Sequence, residues 1–375
     1  MKNFRLSFAL AILLPTVASA QNAAPPVANP NQDNTRFGGT AAVFLTLPSD
    51  ARGAALGGSY ASLSNDISAT FYNPAGLALM GTSQAMLSYT NYVADTRHVA
   101  GAMGWSLRGG EWGLGVSVSN FGFSNAKVYT EDAQDGNGET YSVSNTAIGF
   151  TGALQFSDRF SAGITARLVT EQLGRATAKG MTVDFGTNYH GEVAGRPLRA
   201  SFIIVNYGSS FTADGPVLNT SVNAIEESMN VEQTPAQLRT SSFEPPTQFH
   251  VAVAYDVLAA SSNRFTLLSE FFQPNDADPG VGVGAEWAAT MSSGLSAALR
   301  GSFTFAGDNR DSDVTSAFTT GGGFSSDTGT QGKDGLAFGG GLGFKTGGFS
   351  IGVDYAYRNL GFLSSVNQFS VKIGW

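Results

Sequence analysis

The feature that most constrains the fold is an alternation of apolar side chains with small or polar ones, repeated along most of the chain. Segment 111–121, EWGLGVSVSNF, sets Trp112, Leu114 and Val116 against glycines and a serine. Segment 347–357, GGFSIGVDYAY, repeats the pattern. Because successive side chains of a β-strand point to opposite faces, each segment predicts a strand with one apolar face and one small or polar face.

Roughly fourteen such segments follow one another to the end of the chain. After the N-terminal region, no apolar run approaches the roughly 18 residues that suggest a helical membrane span. The pattern therefore predicts an all-β chain, either a large soluble β protein or a transmembrane barrel. The predicted strands are 84–92, 97–107, 111–123, 145–156, 160–172, 179–189, 198–208, 247–257, 263–273, 280–289, 294–305, 335–345, 348–358 and 366–375.

The charged side chains within these strands favour the transmembrane barrel. Charged residues make up only 13% of the chain, and the face opposite the apolar row is mostly Gly, Ala and Ser. A soluble sandwich would present Lys, Glu and Thr there. A charge on the lipid face near the membrane midplane costs about 2–4 kcal/mol. We therefore expect the strand charges to face a crowded lumen, namely Arg167, Asp184, Glu286, Arg300, Asp354 and Lys372.

The lengths of the connections support the same choice. The three long connections, 124–144, 209–246 and 306–334, follow the third, seventh and eleventh predicted strands. In an even-stranded barrel with both termini in the periplasm, connections after odd-numbered strands point outward. All three long loops then lie on the outer side, and short turns such as 157–159 lie on the periplasmic side.

The N-terminal region is typical of a secretory signal peptide. Residues 1–20 contain a basic start, a short apolar run and the small-residue site around Ala18 and Ala20, after which we expect cleavage. The polar residues 21–35 predict a disordered periplasmic lead-in. The chain has no Cys, so neither a lipid attachment of the lipoprotein type nor a disulfide framework is expected.

Residues 36–82 are rich in Ala, Gly and Ser and lie between this lead-in and the first strand, with the barrel assigned to residues 83–375. Within them, FYNPAGLA contains a turn formed by Asn73, Pro74, Ala75 and Gly76. Asn satisfies backbone groups at turns, Pro fixes φ, and Gly permits a close approach or a left-handed conformation. We expect either a hatch that fills the lumen or an ordinary turn that leads into the first strand.

The last strand ends on an aromatic residue. Its apolar face consists of Phe369, Val371, Ile373 and Trp375. A terminal amphipathic strand of this kind resembles the signal that the outer-membrane barrel-insertion machinery reads. The sequence therefore predicts that this machinery and outer-membrane lipid are partners of the chain.

No residue pattern indicates an enzyme, a metal site or a cofactor. His98, His190 and His250 are scattered, without a second ligand at i+3 or i+4. The glycine clusters lack the Lys-Ser/Thr or βαβ context of a phosphate loop. A net charge of −8 argues against nucleic-acid binding.

Several short motifs, taken in order, resemble the PorV/PorQ family within the broader FadL-like barrels. The matching pieces are ARGAALGG at 51–58, SNDIS at 64–68, NPAGL at 73–77, VDFG at 183–186, VNYG at 205–208, GAEW at 284–287 and VDYAYRNLG at 353–361. The resemblance implies a fourteen-stranded barrel in the outer membrane of a Gram-negative-type bacterium, with its N-terminal segment folded into the lumen.

The resemblance implies a PorV-like secretion function as the main interpretation and leaves two alternatives open. A PorV-like protein binds or shuttles secreted cargo in type IX secretion, with a translocon or a sortase as further partners. A FadL-like protein admits hydrophobic small molecules past a movable hatch. A structural anchor or scaffold is the second alternative. The cargo interpretation depends on apolar residues in the long loops that would form a docking surface: Phe211, Met229, Val231, Phe318 and Phe324.

Overall fold

The computed structural model describes residues 39–222, 234–277, 279–291, 293–306 and 335–375. The signal peptide, with Ala18 and Ala20, and the lead-in 21–35 lie outside these residues. The described helices are α1 (Ala51–Ala55) and α2 (Ala69–Tyr72), with short 3-10 helices at Val43–Thr46, Pro74–Leu79, Arg108–Gly110, Pro216–Leu218 and Gly361–Leu363. The described strands are β1 (Gln84–Asn91), β2 (Arg97–Leu107), β3 (Trp112–Lys127), β4 (Thr140–Ser157), β5 (Phe160–Leu173), β6 (Ala176–Val193), β7 (Arg196–Gly208), β8 (Phe211–Asp214), β9 (Asn219–Val222), β10 (Thr234–Gln237), β11 (Ser242–Phe243), β12 (Gln248–Ala259), β13 (Asn263–Pro274), β14 (Gly280–Thr290), β15 (Leu295–Ala306), β16 (Leu336–Thr346), β17 (Phe349–Asn359) and β18 (Ser365–Gly374).

Fourteen of the described strands, β1–β7 and β12–β18, close into one antiparallel barrel. Strand β7 pairs with β12 across a long connection, and β1 pairs with β18 along its whole length. Within that connection, β8 pairs with β6 and β11, while β9 and β10 form a separate hairpin. Closure removes the sheet edges and so satisfies the backbone hydrogen bonds in lipid. The predicted fourteen-stranded barrel is confirmed.

The barrel strands match the predicted spans closely, except where strands extend beyond the alternating pattern. Strand β4 begins at Thr140 rather than at residue 145, and β3 continues to Lys127 rather than ending at residue 123. The added part of β4 reads TYSVS, which is polar on one face and only partly apolar on the other. Outside the lipid a strand needs no apolar face, so the alternation fades before the strand ends.

The outward face of the barrel is apolar and exposed in the isolated chain. On β17, Val353 is 47% exposed, whereas its neighbour Asp354 is only 8% exposed because it faces the lumen. The four Trp residues lie near the ends of strands at one rim of the barrel, as Trp105, Trp112, Trp287 and Trp375. An apolar belt with an aromatic girdle is the surface that a transmembrane barrel presents to lipid.

The two ends of the barrel differ in the length of their connections. The long connections 128–139, 209–247 and 307–335 share one end, while the turns 158–159 and 347–348 lie at the other. Longer loops face outward in outer-membrane barrels. We therefore refer to the long-loop end as the outer end and to the short-turn end, which carries the four Trp residues, as the inner end.

The segment before β1, residues 39–82, packs inside the barrel and is called the hatch from here on. Its side chains form buried clusters with inward-facing residues of the wall. Leu77 and Met80 pack with Ala102 and Ala153, and Tyr60 packs with Ala254 in a separate cluster. Among the described residues, no helix is long and apolar enough to cross a membrane.

The hatch runs from the outer end of the barrel to the inner end. At its start, Thr40 Oγ1 donates to Asp276 at 2.7 Å, and Ala41 N donates to Glu244 O at 2.9 Å. Both partners belong to outer connections. At the inner end, Trp375 N donates to Ser83 O at 2.9 Å. The predicted periplasmic lead-in is outside the described residues, and the chain that follows it is first described among the outer loops.

Candidate functional site

The Asn73–Pro74 turn joins the hatch to the barrel wall. Asn73 Oδ1 accepts from Ala75 N at 3.1 Å and so caps the 3-10 helix Pro74–Leu79, whose first residue lacks the N–H that would need a partner. Asn73 Nδ2 donates to Ala61 O at 3.1 Å within the hatch and to Thr187 O at 3.2 Å on β6. The fully buried side chain of Asn73 therefore caps the turn and bonds both to the hatch and to the wall.

Glycines let backbones meet at this turn. Gly76 keeps a negative φ, but a Cβ there would collide with Ser64 O, so its role is the close approach. On the facing wall, a Cβ at Gly163 would lie 2.5 Å from the carbonyl carbon of Pro74, and one at Gly186 would collide with Asn73 Oδ1. The small residues noted in the sequence therefore lie on the inner face of the wall, where the hatch backbone packs closely against it.

A buried ion-pair network attaches the hatch to the opposite wall. Arg52 of α1 holds Glu286 of β14 through two hydrogen bonds of 2.8 and 2.9 Å. The same carboxylate accepts from Arg264 at 3.0 Å and from Arg300 at 2.7 Å. Glu286 is 1% exposed. Three guanidinium groups compensate the cost of burying this one charge.

The network continues across β16 because that strand has no side chain at the crossing point. Arg300 Nη1 on β15 reaches Asp354 Oδ1 on β17 at 2.6 Å. A Cβ at Gly341 would lie 3.0 Å from Arg300 Nη1 and would collide with Asp354 Oδ1. Gly341 therefore leaves the gap through which the two charged side chains meet.

A second group of charges joins the hatch to the final strand. Lys372 Nζ lies 2.8 Å from both Asp50 and Asp66, and Arg52 lies 3.3 Å from Asp66. Burial by itself would raise the pKa of the Asp66 carboxyl, but Lys372 and Arg52 hold that pKa well below its usual value. Asp66 thus remains a carboxylate and serves as a bridge between the two groups.

The remaining predicted lumen charges form a pair on the other side of the barrel. Arg167 on β5 binds Asp184 on β6, and its Nη2 donates to Thr70 O of the hatch at 2.9 Å. The second carboxylate oxygen of Asp184 accepts from Asn206 N at 2.8 Å, where β7 bends with a positive φ. All the strand charges named from the sequence lie in the lumen, and each contacts the hatch or another strand.

The charged residues of the strands could be identified from the sequence, but not the hatch residues that pair with them. Arg52 and Asp66 lie within short motifs and Asp50 directly precedes one, and their partners lie hundreds of residues further along the chain. A signal did exist, because a segment expected to enter a lumen carried charges that would need partners there. The sequence could not say which strand would supply them.

A cavity of about 890 Å³ lies between the hatch and the outer loops. Its floor comes from the hatch, including Val43, residues 45–48 and Phe71, and its walls come from the outer ends of β12, β13 and β17. Ligand pockets typically measure about 300–1,000 Å³ and combine apolar walls with a few placed polar groups. This cavity is the candidate ligand site.

One wall of the cavity carries a polar cluster. His250 Nδ1 lies 2.8 Å from Glu270 Oε1 and His250 Nε2 lies 3.1 Å from Gln248 Oε1. The other oxygen of Glu270 accepts from Ala61 N of the hatch at 3.1 Å. His250 has no partner at helical spacing in the sequence, but it has one across the β12–β13 pair. No group of metal-binding side chains occurs within the described residues.

The outer-loop residues named as a docking surface are not placed as that interpretation requires. Phe211 is 1% exposed and packs with Phe44, Ala147 and Val169, so it closes the lumen rather than facing a partner. The remaining ones lie outside the described residues: Met229, Val231, Phe318 and Phe324. The apolar face of β18 lies on the outside of the barrel, with Phe369, Val371, Ile373 and Trp375 between 38% and 53% exposed.

A closed antiparallel barrel with an apolar outer face and its own N-terminal segment in the lumen defines a plugged transmembrane barrel of the outer-membrane type. A family described as "Uncharacterised protein family (UPF0164)" matches residues 14–191. No similar protein is found among curated proteins. The matched region takes in the hatch and β1 to most of β6.

Solved structures of similar fold are a transporter and a channel by name. The toluene transporter TodX of Pseudomonas putida aligns with a TM-score of 0.52 at 11% identity, covering 87% of this chain and 97% of that one. The CymD monoaromatic hydrocarbon channel gives 0.51 at 10% identity, covering 87% and 96%. At such identity the likeness establishes the barrel fold alone. Membership of PorV/PorQ and the absence of enzyme activity stay predictions.

Proposed function

We propose that the protein is an outer-membrane channel that admits hydrophobic small molecules, with the hatch as its gate. The observation that carries this proposal is the cavity at the outer end, whose floor is the hatch itself. A molecule that enters from outside meets Phe71, Val43 and residues 45–48 before it meets the inner part of the lumen. The names of the similar structures, a toluene transporter and a monoaromatic hydrocarbon channel, support this class of ligand.

Passage through the lumen requires part of the hatch to move. The region around Ser59 is the natural place for such movement, because it follows Gly57 and Gly58, both at positive φ, and forms part of the cavity floor. The ion pairs of Arg52 and the turn at Asn73 hold the neighbouring regions to the wall. The gate therefore consists of the cavity floor, not of the whole hatch.

A reversible crosslink between hatch and wall tests the gate. A Cβ at Gly282 on β14 would lie 3.4 Å from Ser59 Cβ, close to the roughly 3.5–4.5 Å that a disulfide needs. The chain contains no Cys, so the pair Ser59→Cys and Gly282→Cys has no competing thiol. We expect the oxidised double variant to lose at least about 90% of toluene accumulation by cells whose outer membrane otherwise excludes toluene, and reduction to restore it.

The two single Cys variants are the matched controls, because they carry each substitution without a crosslink. Both should accumulate toluene like the unmodified protein. If the crosslinked barrel accumulates toluene at the full rate, the hatch floor is not the gate. If the unmodified protein gives no accumulation above cells without it, the channel proposal itself fails.

Cargo binding in type IX secretion is the second candidate, and no described contact favours it. Its expected surface included Phe211, which is buried. Crosslinking in cells tests this function. Recovery of secreted proteins with a shared C-terminal sorting domain, or of a translocon, would favour cargo binding over the channel. A purely structural scaffold would show neither cargo nor ligand accumulation.

A further inference from the structure

Arg358 differs from the other basic side chains of the lumen. It lies on the inward face of β17, on the same side of the strand as Asp354 and Ala356, and it lines the outer cavity. The other basic side chains of the described lumen each have a carboxylate partner: Arg52, Arg167, Arg199, Arg264, Arg300 and Lys372. Within the same described residues, Arg358 has neither an ion-pair partner nor a hydrogen bond.

No carboxylate of the described residues lies within ion-pair distance of Arg358. The side chains that interact with it electrostatically are the phenols of Tyr92 and Tyr72. Asp354, two residues earlier on the same face, is bound to Arg300. A half-buried guanidinium without a counter-charge is costly, and an arginine presents a planar set of donors that matches a carboxylate.

The acidic groups of the cavity are already satisfied. Glu270 accepts from Ala61 N and contacts His250, and Asp276 accepts from Thr40 Oγ1 at 2.7 Å. The acidic groups of the cavity therefore have hydrogen-bond partners of their own, and among the described residues none of them pairs with Arg358. An anionic ligand group can pair with Arg358 without displacing one of them.

Aromatic rings line the same cavity as Arg358. Tyr92 at the outer end of β1 and Tyr72 and Phe71 of the hatch line the cavity together with Arg358, and Phe272 lines it from β13. Tyr72 is held in place because its hydroxyl accepts from Ser49 N and Asp50 N. Fixed rings favour a flat aromatic body through edge and face contacts.

We propose that the outer cavity binds aromatic carboxylates, with Arg358 pairing with the carboxylate and the ring lying among Phe71, Tyr72 and Tyr92. The inference rests on the proposed channel function and specifies its substrate class. It adds an anionic group to the hydrophobic ligands of the proposed channel. Release inward then requires the acid to leave Arg358 when the hatch floor moves.

Binding to the full-length barrel in lipid nanodiscs tests the assignment. The probes are cinnamate, its neutral amide cinnamide, and nonanoate, an aliphatic acid with the same number of carbon atoms. Calorimetry should give cinnamate the highest affinity, with cinnamide weaker by about tenfold or more, since a hydrogen bond to a charged group contributes about 1.5–3 kcal/mol. Nonanoate binding as tightly as cinnamate would overturn the aromatic assignment.

Two substitutions locate the site. Arg358→Gln should reduce cinnamate affinity by about tenfold or more and leave cinnamide affinity unchanged, and Arg358→Lys should fall in between because it keeps the charge but loses the planar fork. Arg97→Gln is the matched control, since Arg97 is an exposed arginine at the outer end of β2 that does not line this cavity. All three variants must retain the heat-modifiable migration of a folded barrel.

The outcomes separate this inference from the channel proposal. Equal cinnamate affinity in the unmodified protein and Arg358→Gln overturns the inference. If toluene accumulates through the unmodified protein and cinnamate does not bind, the channel stands and the aromatic carboxylate assignment falls. If cinnamate binds through Arg358 and the crosslinked gate does not affect accumulation, the site stands and the hatch gate falls.

Discussion

The two halves of the barrel hold the hatch by different physical means. On one side, the 3-10 helix Pro74–Leu79 lies against β3–β6, where wall glycines let backbones touch. On the other side, α1 lies against β15–β18 and reaches β14 through Arg52 and Glu286. The first half is held mainly by shape, with one charged contact from Arg167 to Thr70 O, and the second is held mainly by charge.

This difference determines how each half can fail. Close packing is lost when volume is added, because the nearest atoms are backbone and cannot move aside. A buried ion-pair network is lost when one member is neutralised, because the remaining charges stay buried without compensation. Substitutions that add a methyl group should therefore disturb mainly the β3–β6 side, and substitutions that remove a charge should disturb the β14–β18 side.

The largest effect is expected for Glu286→Gln. The change leaves Arg52, Arg264 and Arg300 without their shared carboxylate, and breaking a buried pair costs about 3–5 kcal/mol. The unfolding midpoint in urea, followed by the heat-modifiable gel shift, should fall strongly. Glu111→Gln is the control because Glu111 is exposed at the inner turn. Similar midpoints for both variants would contradict a charge-held half.

Gly163→Ala should have the next largest effect and should act on the other half. The new Cβ would lie 2.5 Å from the carbonyl carbon of Pro74, and overpacking of this kind costs about 1–3 kcal/mol. We expect the barrel to stay folded while limited proteolysis begins to cut the hatch near residues 61–79. Gly152→Ala is the matched control, because a Cβ there would have a single neighbour at 4.0 Å. Equal protection of the hatch in the two variants would argue against a shape-held half.

The strands could be predicted from the sequence because their cause is local. Apolar residues on alternate positions and short turns specify each barrel strand without reference to the rest of the chain. The prediction lost accuracy at the outer ends of β3 and β4 and at both ends of β6, where no lipid imposes the alternation. The turn at Asn73 was also visible, since Asn, Pro and Gly act on their own neighbours.

The site could not be predicted in the same way because its contacts are not local. Arg52 meets Glu286, and Lys372 meets Asp50, across most of the chain length, so no spacing in the sequence marks them as partners. The unmatched position of Arg358 is harder still to predict. The lack of a carboxylate partner for Arg358 can be recognised only once the ion pairs of the other basic residues in the described lumen are known.

A smaller effect is expected for Gly341→Ala, which places a methyl group between two charges of the β14–β18 side. Arg300 would lose Asp354 but keep Glu286, so the cost should be about 1.5 kcal/mol, the value of one charged hydrogen bond. In an Asp354→Asn background the same substitution should cost much less, because the contact is already weakened. Gly352→Ala on β17 meets only ordinary packing and serves as the control. Additive costs of Gly341→Ala and Asp354→Asn would show that Gly341 does not act through this ion pair.

The smallest effect is expected for Asn73→Ala, and it bears on function more than on stability. Loss of a helix cap costs about 1 kcal/mol, and the substitution also removes the contacts with Ala61 and Thr187 that tie the turn to β6. The barrel should fold normally, while the hatch loosens on the shape-held side and single-channel conductance in planar bilayers rises.

Asn137→Ala removes a similar local contact to Glu139 N in an exposed outer loop and should leave conductance unchanged. If Asn73→Ala leaves both conductance and hatch proteolysis unchanged, the glycine contacts hold this half without the turn. In that case the close contacts at Gly163 and Gly186 would be the main attachment of the hatch to this half of the barrel.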